Sequence, residues 1–432
     1  MPTSTRGEQE AKLRILVLSN LYPPYVLGGY EIACHSVTRG LRAIGHDVEV
    51  LAAHAPFATP DDPAWVHRAL SMRAYDAVEP HTADLADAKC YEAGASQYPN
   101  TSTLLSHLRR FRPDVVYVWN LWGIGGLALL DLLEQVGIAW VMHLMDSVPT
   151  YLLNNVAPIS ASLFARHDAS LFRRGRAIAM SEQVLAEIES TCGVRFDHAP
   201  TIVPGWVSPV GLGQRSHYRE GGMLRLVTAG SIQESKGTRL IVEACARLVS
   251  EGKIDFYIDI YGFGSAEAYV QLAAQLGVSS HVRFLGPRTH DEILALLPEY
   301  DVFLFPTHAR EPFGFAPIEA AACGVAPIIT RNAGCAERLV DEVHALKIDR
   351  TAQSLACAID RFLTGECDVA AMGKRAARMV RSDMNFDRCL STVEQVLSEA
   401  VRPTDFRELD DQRLPRVLFA KHTLGQYLTA RR

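Results

Sequence analysis

Apolar and polar positions follow a strand–helix–strand rhythm that runs twice along the chain. Residues 13–19 form an almost unbroken apolar run, the pattern of a strand buried on both faces in a parallel sheet. Prolines and glycines in the loop 20–29 exclude regular structure there. Ile32, Ala33, Val37, Leu41 and Ile44 then recur at helical spacing before Gly45. Residues 48–51 complete a βαβ unit whose crossover should be right-handed. Further strands are predicted at 114–119, 138–144, 177–180 and 201–203, with a helix over 125–136. Residues 55–100, rich in Pro, Asp and Ala, predict no regular element.

The rhythm restarts at 224–230, a strand with the same place in its half as 13–19. A helix from Lys236 should bury Leu240, Ile241, Ala244, Cys245 and Leu248. Strands are expected at 254–260, 282–285, 301–305, 326–329 and 344–347, and helices at 351–364, 369–381 and 386–400. The fold class is therefore α/β: two doubly wound Rossmann-like domains facing a central cleft, where ligands of open parallel sheets bind. Residues 14–212 form the first domain and 213–400 the second, with a linker in the polar stretch near 209–222. Residues 1–13 form a flexible tail and 401–432 a C-terminal segment.

Composition narrows the function classes. The chain has 432 residues, 48% hydrophobic and 21% charged, which excludes a collagen, a coiled coil or a wholly disordered protein. A net charge of -6 argues against a protein built mainly to coat nucleic acid. No stretch approaches the roughly 18 apolar residues of a membrane span. Nine scattered cysteines without metal-like spacing point to a reduced, cytoplasmic compartment. The polar start, without the apolar core of a signal peptide, agrees with that.

The richest segment for chemistry is 305–324. A strand ends at Phe305, a loop carries Glu311 and Gly314, and a helix from about Ala316 carries Glu319. The amides of Phe313, Gly314 and Phe315 can point outward at a helix start and hold an anion or sugar hydroxyls. Gly28 and Gly29 precede a helix in a similar way, and Gly262 and Gly264 follow a strand. His143 ends the strand 138–142, and Asp146 lies just beyond it. Trp119, Asn120 and Trp122 follow another strand, with Tyr25 in the first loop. For each of these a plain structural role competes: dipole-favourable Glu319, turn glycines, packed tryptophans. The basic runs Arg109-Arg110-Arg112 and Arg173-Arg174-Arg176 are either a solvated face or a contact with an anionic membrane.

Glu311 and Glu319 stand in a Glu-x7-Glu arrangement, with Pro306 before it, Pro-Phe-Gly inside it and Glu-Ala-x-Ala-x-Gly from Glu319 on. This resembles the signature of glycosyltransferase family 4, the retaining, nucleotide-sugar-dependent enzymes of GT-B fold. The Tyr-Pro-Pro loop with Gly28-Gly29, the run from Gly230 to Lys236-Gly237, Tyr261-Gly262-Phe263-Gly264 and Phe284-Leu285-Gly286 are similar too.

The resemblance implies that Glu319 binds the donor ribose and that Glu311 holds hydroxyls of the donor sugar. It also implies that Lys236 neutralises the diphosphate and that His143 orients the acceptor or a sugar hydroxyl. Donor contacts would come from Gly28, Gly29, Ser231, Gly262, Gly264, Arg288, Arg310, Phe313, Gly314 and Phe315. Acceptor contacts would come from Tyr25, Trp119, Asn120, Trp122 and Asp146. Ser231 departs from the family pattern, because many relatives carry an arginine there; Arg310, Arg288 and Arg239 are the candidates to replace it.

No metal and no cofactor beyond the nucleotide-sugar co-substrate are implied. The acceptor would be a glycan, a lipid-linked sugar or a small molecule, with no nucleic-acid partner. Peripheral contact with the cytoplasmic face of a membrane is a further expectation, as is packing of 401–432 against the first domain. A glycosyltransferase of natural products, a non-catalytic nucleotide-sugar-binding module and a glycoside hydrolase using both glutamates remain as alternatives.

Overall fold

The computed structural model describes residues 12–26, 28–54, 61–72, 100–154, 168–208, 212, 213, 215, 222–308 and 310–402. The expected tail up to Ala11, most of the linker and the segment from 403 on lie outside the described residues. The described residues fall into two compact units. One holds those up to Ala179, Val184–Ile202 and those from Leu390 on; the other holds Met180–Gln183 and Val203–Cys389.

The first unit is a parallel seven-stranded sheet of order β3-β2-β1-β4-β5-β6-β7. Its strands are β1 (Arg14–Leu18), β2 (Asp47–Ala53), β3 (Val66–Leu70), β4 (Val115–Val118), β5 (Ala139–Leu144), β6 (Arg176–Ala179) and β7 (Thr201–Ile202). The helices are α1 (Gly29–Ala43), α2 (residues 100–111), α3 (Gly126–Val136), α4 (Val148–Asn154) and α5 (Glu182–Cys192), the first residues of which belong to the second unit. Ile15, Leu16, Val17 and Leu18 are wholly buried, as a central strand covered on both faces requires. Leu104, Leu108, Leu129 and Leu133 pack with Leu16, Leu18 and Leu51 in one core.

The second unit repeats the topology with six strands in the order β10-β9-β8-β11-β12-β13. These are β8 (Leu224–Ala229), β9 (Phe256–Tyr261), β10 (Val282–Gly286), β11 (Val302–Phe305), β12 (Ala326–Thr330) and β13 (Leu346–Ile348). Its helices are α6 (Thr238–Ser250), α7 (Glu267–Gln275), α8 (His290–Leu296), α9 (Phe315–Ala322), α10 (Ala352–Leu363), α11 (Val369–Asp383) and the start of α12 (Phe386–Ala400), which continues into the first unit. Ile241, Ala244, Cys245 and Leu248 face the core with Ile258, Leu304 and Ile328, as their spacing predicted, whereas Leu240, expected with them, is only half-buried.

Two local differences matter. β3 and α2 arise in or beside the stretch that predicted nothing. β3 escapes notice because it is only five residues long and one of them, Arg68, is buried by hydrogen bonding rather than by apolar character. The helix expected from Lys236 begins instead at Thr238. Lys236 closes a separate short turn, Glu234–Lys236, and Gly237 in the left-handed region divides the two.

Candidate active site

In the second unit, strand order reverses between β8 and β11. Ligands of open parallel sheets gather at such a switch point, outside the carboxyl ends of the strands. From these two ends run the loops 230–237 and 306–314. They bring Lys236 and Glu311 together: Lys236 Nζ donates to Glu311 Oε2 at 2.5 Å, and Thr307 Oγ1 donates to the same oxygen at 3.0 Å. Glu311 is further fixed through its own carbonyl, which accepts from Gly334 N–H at 2.9 Å. Its carboxylate is 14% exposed and the lysine 37%, so the pair stands half open to solvent. Lys236 ends a turn rather than starting a helix, so no helix dipole bears on its charge. Its partner is the Glu311 carboxylate.

Glycines hold these loops close. Gly262 has φ +158°, and a Cβ there would lie 1.6 Å from the carbonyl oxygen of Gly230. Backbone of the β9–α7 loop thus lies directly on backbone of the β8–α6 loop, with Ile232 N–H donating to Phe263 carbonyl at 2.7 Å. Gly264 adds to that contact, and Ser231 is exposed beside it. Gly314 has φ +93°, and a Cβ would strike the Phe305 ring at 2.7 Å, which lets the turn fold back before α9. Phe313 is buried and Phe315 half-buried, with ring centroids 5.5 Å apart. Their side chains pack; what they offer a ligand is backbone at the start of α9.

Glu319 lies in α9 and meets a residue that sequence reasoning missed. His290 Nε2 donates to Glu319 Oε1 at 2.8 Å. Nothing local marked His290 beyond its place after Thr289, which caps α8 together with Glu292. The hydrogen bond to Glu319 raises the His290 pKa, against a smaller opposing effect of burial. A raised value means that the pair's contribution to stability is complete below about pH 6.5, the ordinary histidine value, and is lost as pH climbs through the folded-state value. An NMR titration should therefore place His290 above its ordinary value in the wild type and nearer to it in Glu319→Gln; identical titrations in both proteins would refute the pairing.

The arginines considered for the Ser231 position are dispersed. Arg239 pairs with Glu234 at 3.3 Å and Glu243 at 3.8 Å. Arg288 is exposed, donates to the Pro287 carbonyl at 3.0 Å and stands 5.8 Å from the Tyr261 ring centre. The Arg310 backbone donates to His308 Nδ1 at 3.1 Å. Arg350, not considered from sequence, donates to the Glu234 carbonyl at 2.6 Å.

In the first unit, Gly28 caps α1 with extended backbone, and its N–H donates to Glu31 Oε2 at 2.9 Å. A Cβ on Gly28 would meet nothing within 4 Å, so neither conformation nor packing requires glycine there. Gly29 follows as the first residue of α1. Tyr30 was also missed. Its hydroxyl accepts from Met145 and Asp146 N–H at 3.0 and 3.1 Å, binding the start of α1 to the end of β5. Asp146 Oδ1 in turn accepts from Ser147 N–H at 2.6 Å.

His143 and Trp119, both expected at a ligand, lie inside the first sheet. Both are wholly buried and stacked, with ring centroids 4.3 Å apart and 19° between planes. His143 Nδ1 shares a 2.5 Å hydrogen bond with Tyr117 hydroxyl, and burial pushes its pKa down to about 3. The imidazole is therefore neutral at ordinary pH and enclosed among rings of the first sheet.

Asn120 and Trp122 are half-buried and held by Asn20, whose N–H donates to Asn120 carbonyl at 2.7 Å and whose Nδ2 donates to Trp122 carbonyl at 3.2 Å. Tyr25 lies beneath Arg68, 5.2 Å from its ring centre. Arg68 also donates to the Tyr22 and Pro23 carbonyls at 3.0 and 2.8 Å while paired with Asp62, and so fixes the Tyr-Pro-Pro loop. The basic runs also find partners inside this unit: Arg110 with Glu49, Arg173 with Asp197, Arg174 with Glu134 and Arg176 with Glu399.

Two parallel-sheet Rossmann-like domains of these strand orders are the GT-B fold, shared with glycosyltransferases among solved structures. Residues 27–207 match the model described as Glycosyltransferase Family 4, and residues 215–379 match that of Glycosyl transferases group 1. The chain belongs to glycosyltransferase family 4. Glycogen synthase of Mycobacterium tuberculosis is 24% identical over 441 residues, covering 95% of this chain and 99% of the relative. Among solved structures, sucrose-phosphate synthase from Thermosynechococcus elongatus is similar with a TM-score of 0.68 at 18% identity, over 90% of this chain and 99% of that one. HepE of Anabaena, solved in complex with UDP-glucose, gives 0.62 at 18% identity over 90% and 100%. No helix among the described residues is long and apolar enough to cross a membrane.

Proposed function

We propose that this glycosyltransferase is a retaining enzyme that moves a hexose from a nucleoside-diphosphate sugar to a hydroxyl acceptor, in the synthesis of a cell-surface polysaccharide or glycolipid on the cytoplasmic side. The observation that carries this reading is the contact of Lys236 with Glu311 at the switch point of the second unit. An ammonium has three N–H donors. One rests on Glu311, and the others serve the diphosphate, whose negative charge grows as it departs. Glu311, held by Lys236 and Thr307, takes sugar hydroxyls, and Glu319 takes the ribose diol. Transfer breaks the bond from anomeric carbon to phosphate oxygen and forms the bond to the acceptor oxygen on the same face. The acceptor proton passes to the departing phosphate. Protein groups then contribute position and charge stabilisation rather than a nucleophile. A nucleotide-sugar complex of a similarly folded protein and the glycan synthesis named for the relative above support this reading.

The test is a panel of UDP-, GDP-, ADP- and dTDP-sugars. One class should raise the thermal unfolding temperature, since a ligand that binds only folded chain stabilises it. Incubated with acceptor glycans, that donor should yield a product with the anomeric configuration of the donor, read by proton NMR. Binding without transfer across a broad acceptor set would support a binding module instead. An inverted product would exclude the retaining mechanism.

A further inference from the structure

On the edge side of the first sheet, three elements bring together residues that lie far apart in sequence. Glu49 comes from β2, His67 from the edge strand β3, and His107 and Arg110 from α2. Glu49 Oε2 lies 3.1 Å from His67 Nε2, 2.8 Å from His107 Nε2 and 2.6 Å from an Arg110 Nη. That same Arg110 nitrogen is 3.2 Å from His107 Nε2 and 3.4 Å from His67 Nε2. One cationic nitrogen therefore touches one carboxylate oxygen and two imidazole nitrogens at once. All three of the latter lie within 4.8 Å of one another.

We propose that Glu49, His67 and His107 form a divalent transition-metal site of the zinc class, and that Arg110 is the cation that competes with the metal for it. Zinc with nitrogen and oxygen ligands at about 2.0–2.2 Å in tetrahedral geometry places ligand atoms roughly 3.3 Å apart. The two distances from Glu49 come close to that without rearrangement. Two imidazoles and one carboxylate suit zinc, nickel or cobalt and not calcium or magnesium, which take oxygen ligands. Arg110 is 54% exposed and can swing into solvent, leaving the fourth position to water. His107 is almost wholly enclosed, and His67 is 28% exposed at the rim. A metal here would clamp the edge strand to β2 and α2, with no part in sugar transfer.

Sequence gave no sign of this site, because its ligands have no short-range spacing. The test is equilibrium dialysis of the full chain against Zn2+ with metal counted per chain, on wild type, His67→Ala, His107→Ala and Arg110→Ala. Thermal unfolding in chelator checks that each variant folds. Wild type should bind one zinc at this site. His67→Ala and His107→Ala should bind it at least about ten-fold more weakly, the scale on which disturbing a metal site lowers affinity. Arg110→Ala should bind more tightly, because the competing charge is gone. A purely structural cluster predicts no gain from that last substitution. The proposal is overturned if wild type binds no zinc, if the folded His67→Ala protein binds as tightly as wild type, or if Arg110→Ala binds no more tightly.

Discussion

Lys236→Ala is expected to lower kcat/KM for the donor sugar about 30- to 900-fold, equivalent to about 2–4 kcal/mol of transition-state stabilisation, the scale found for groups that meet developing charge. The side chain is 37% exposed and contributes to no core cluster, so its removal should leave thermal stability nearly unchanged. Glu311→Ala should lose activity on the same scale, for a different reason: it removes the group proposed to hold the sugar. Because Lys236 and Glu311 touch, their effects should not add, and a double variant should fall short of the sum. Binding of the free nucleoside diphosphate separates the roles. Lys236→Ala should weaken it, since the phosphate loses its cation, while Glu311→Ala should barely change it, since no sugar is present. Unchanged turnover in both single variants would remove the basis of the assignment. Equal losses of diphosphate affinity would show that Lys236 acts only by holding Glu311.

The parallel sheets were legible because their central strands are continuous apolar runs between turn residues, as at 15–18 and 302–305. The edge strand β3 was not, since its pattern is broken by His67 and by Arg68, a buried arginine whose partners lie in two other loops. The same logic divides the sites. Glu311, Gly314 and Glu319 share one segment, so their arrangement appears in local spacing. His290, Tyr30 and Arg68 act on site residues from other elements, and only the folded chain brings them near. Trp119 and His143 show what local pattern does not carry. Their types and strand-end positions suited ligand contact, whereas their complete burial beside Tyr117 is a property of the whole sheet.

Asp301→Ala is expected to destabilise the second unit by about 3–5 kcal/mol, the cost of leaving one partner of a buried ion pair without the other. Asp301 is wholly buried at the start of β11. Its carboxylate pairs with the buried Arg215 and accepts from the backbone N–H of Arg225 at 2.8 Å and from Arg225 Nε at 3.2 Å. Its own backbone donates to Arg225 carbonyl at 2.8 Å, and its carbonyl accepts from Ala326 N–H at 3.0 Å. One side chain thus joins the starts of β8 and β11 to Arg215, whose guanidinium also donates to Tyr300 carbonyl. Truncation strands that guanidinium in the interior.

For a unit of this size the loss should lower the unfolding temperature by roughly 6–20 °C, at about 2–4 °C per kcal/mol. The double change Arg215→Met with Asp301→Leu should recover part of it, because apolar packing removes the unpaired charge. Asp301 lies at the opposite end of β11 from Thr307 and Glu311, so turnover well below the transition should stay near wild type. Lys236→Ala and Asp301→Ala should therefore separate cleanly, the first losing catalysis with stability kept and the second losing stability with catalysis kept. A loss of catalysis in Asp301→Ala at low temperature, with the fold intact by circular dichroism, would mean that strain at the start of β11 is transmitted along the strand to Glu311.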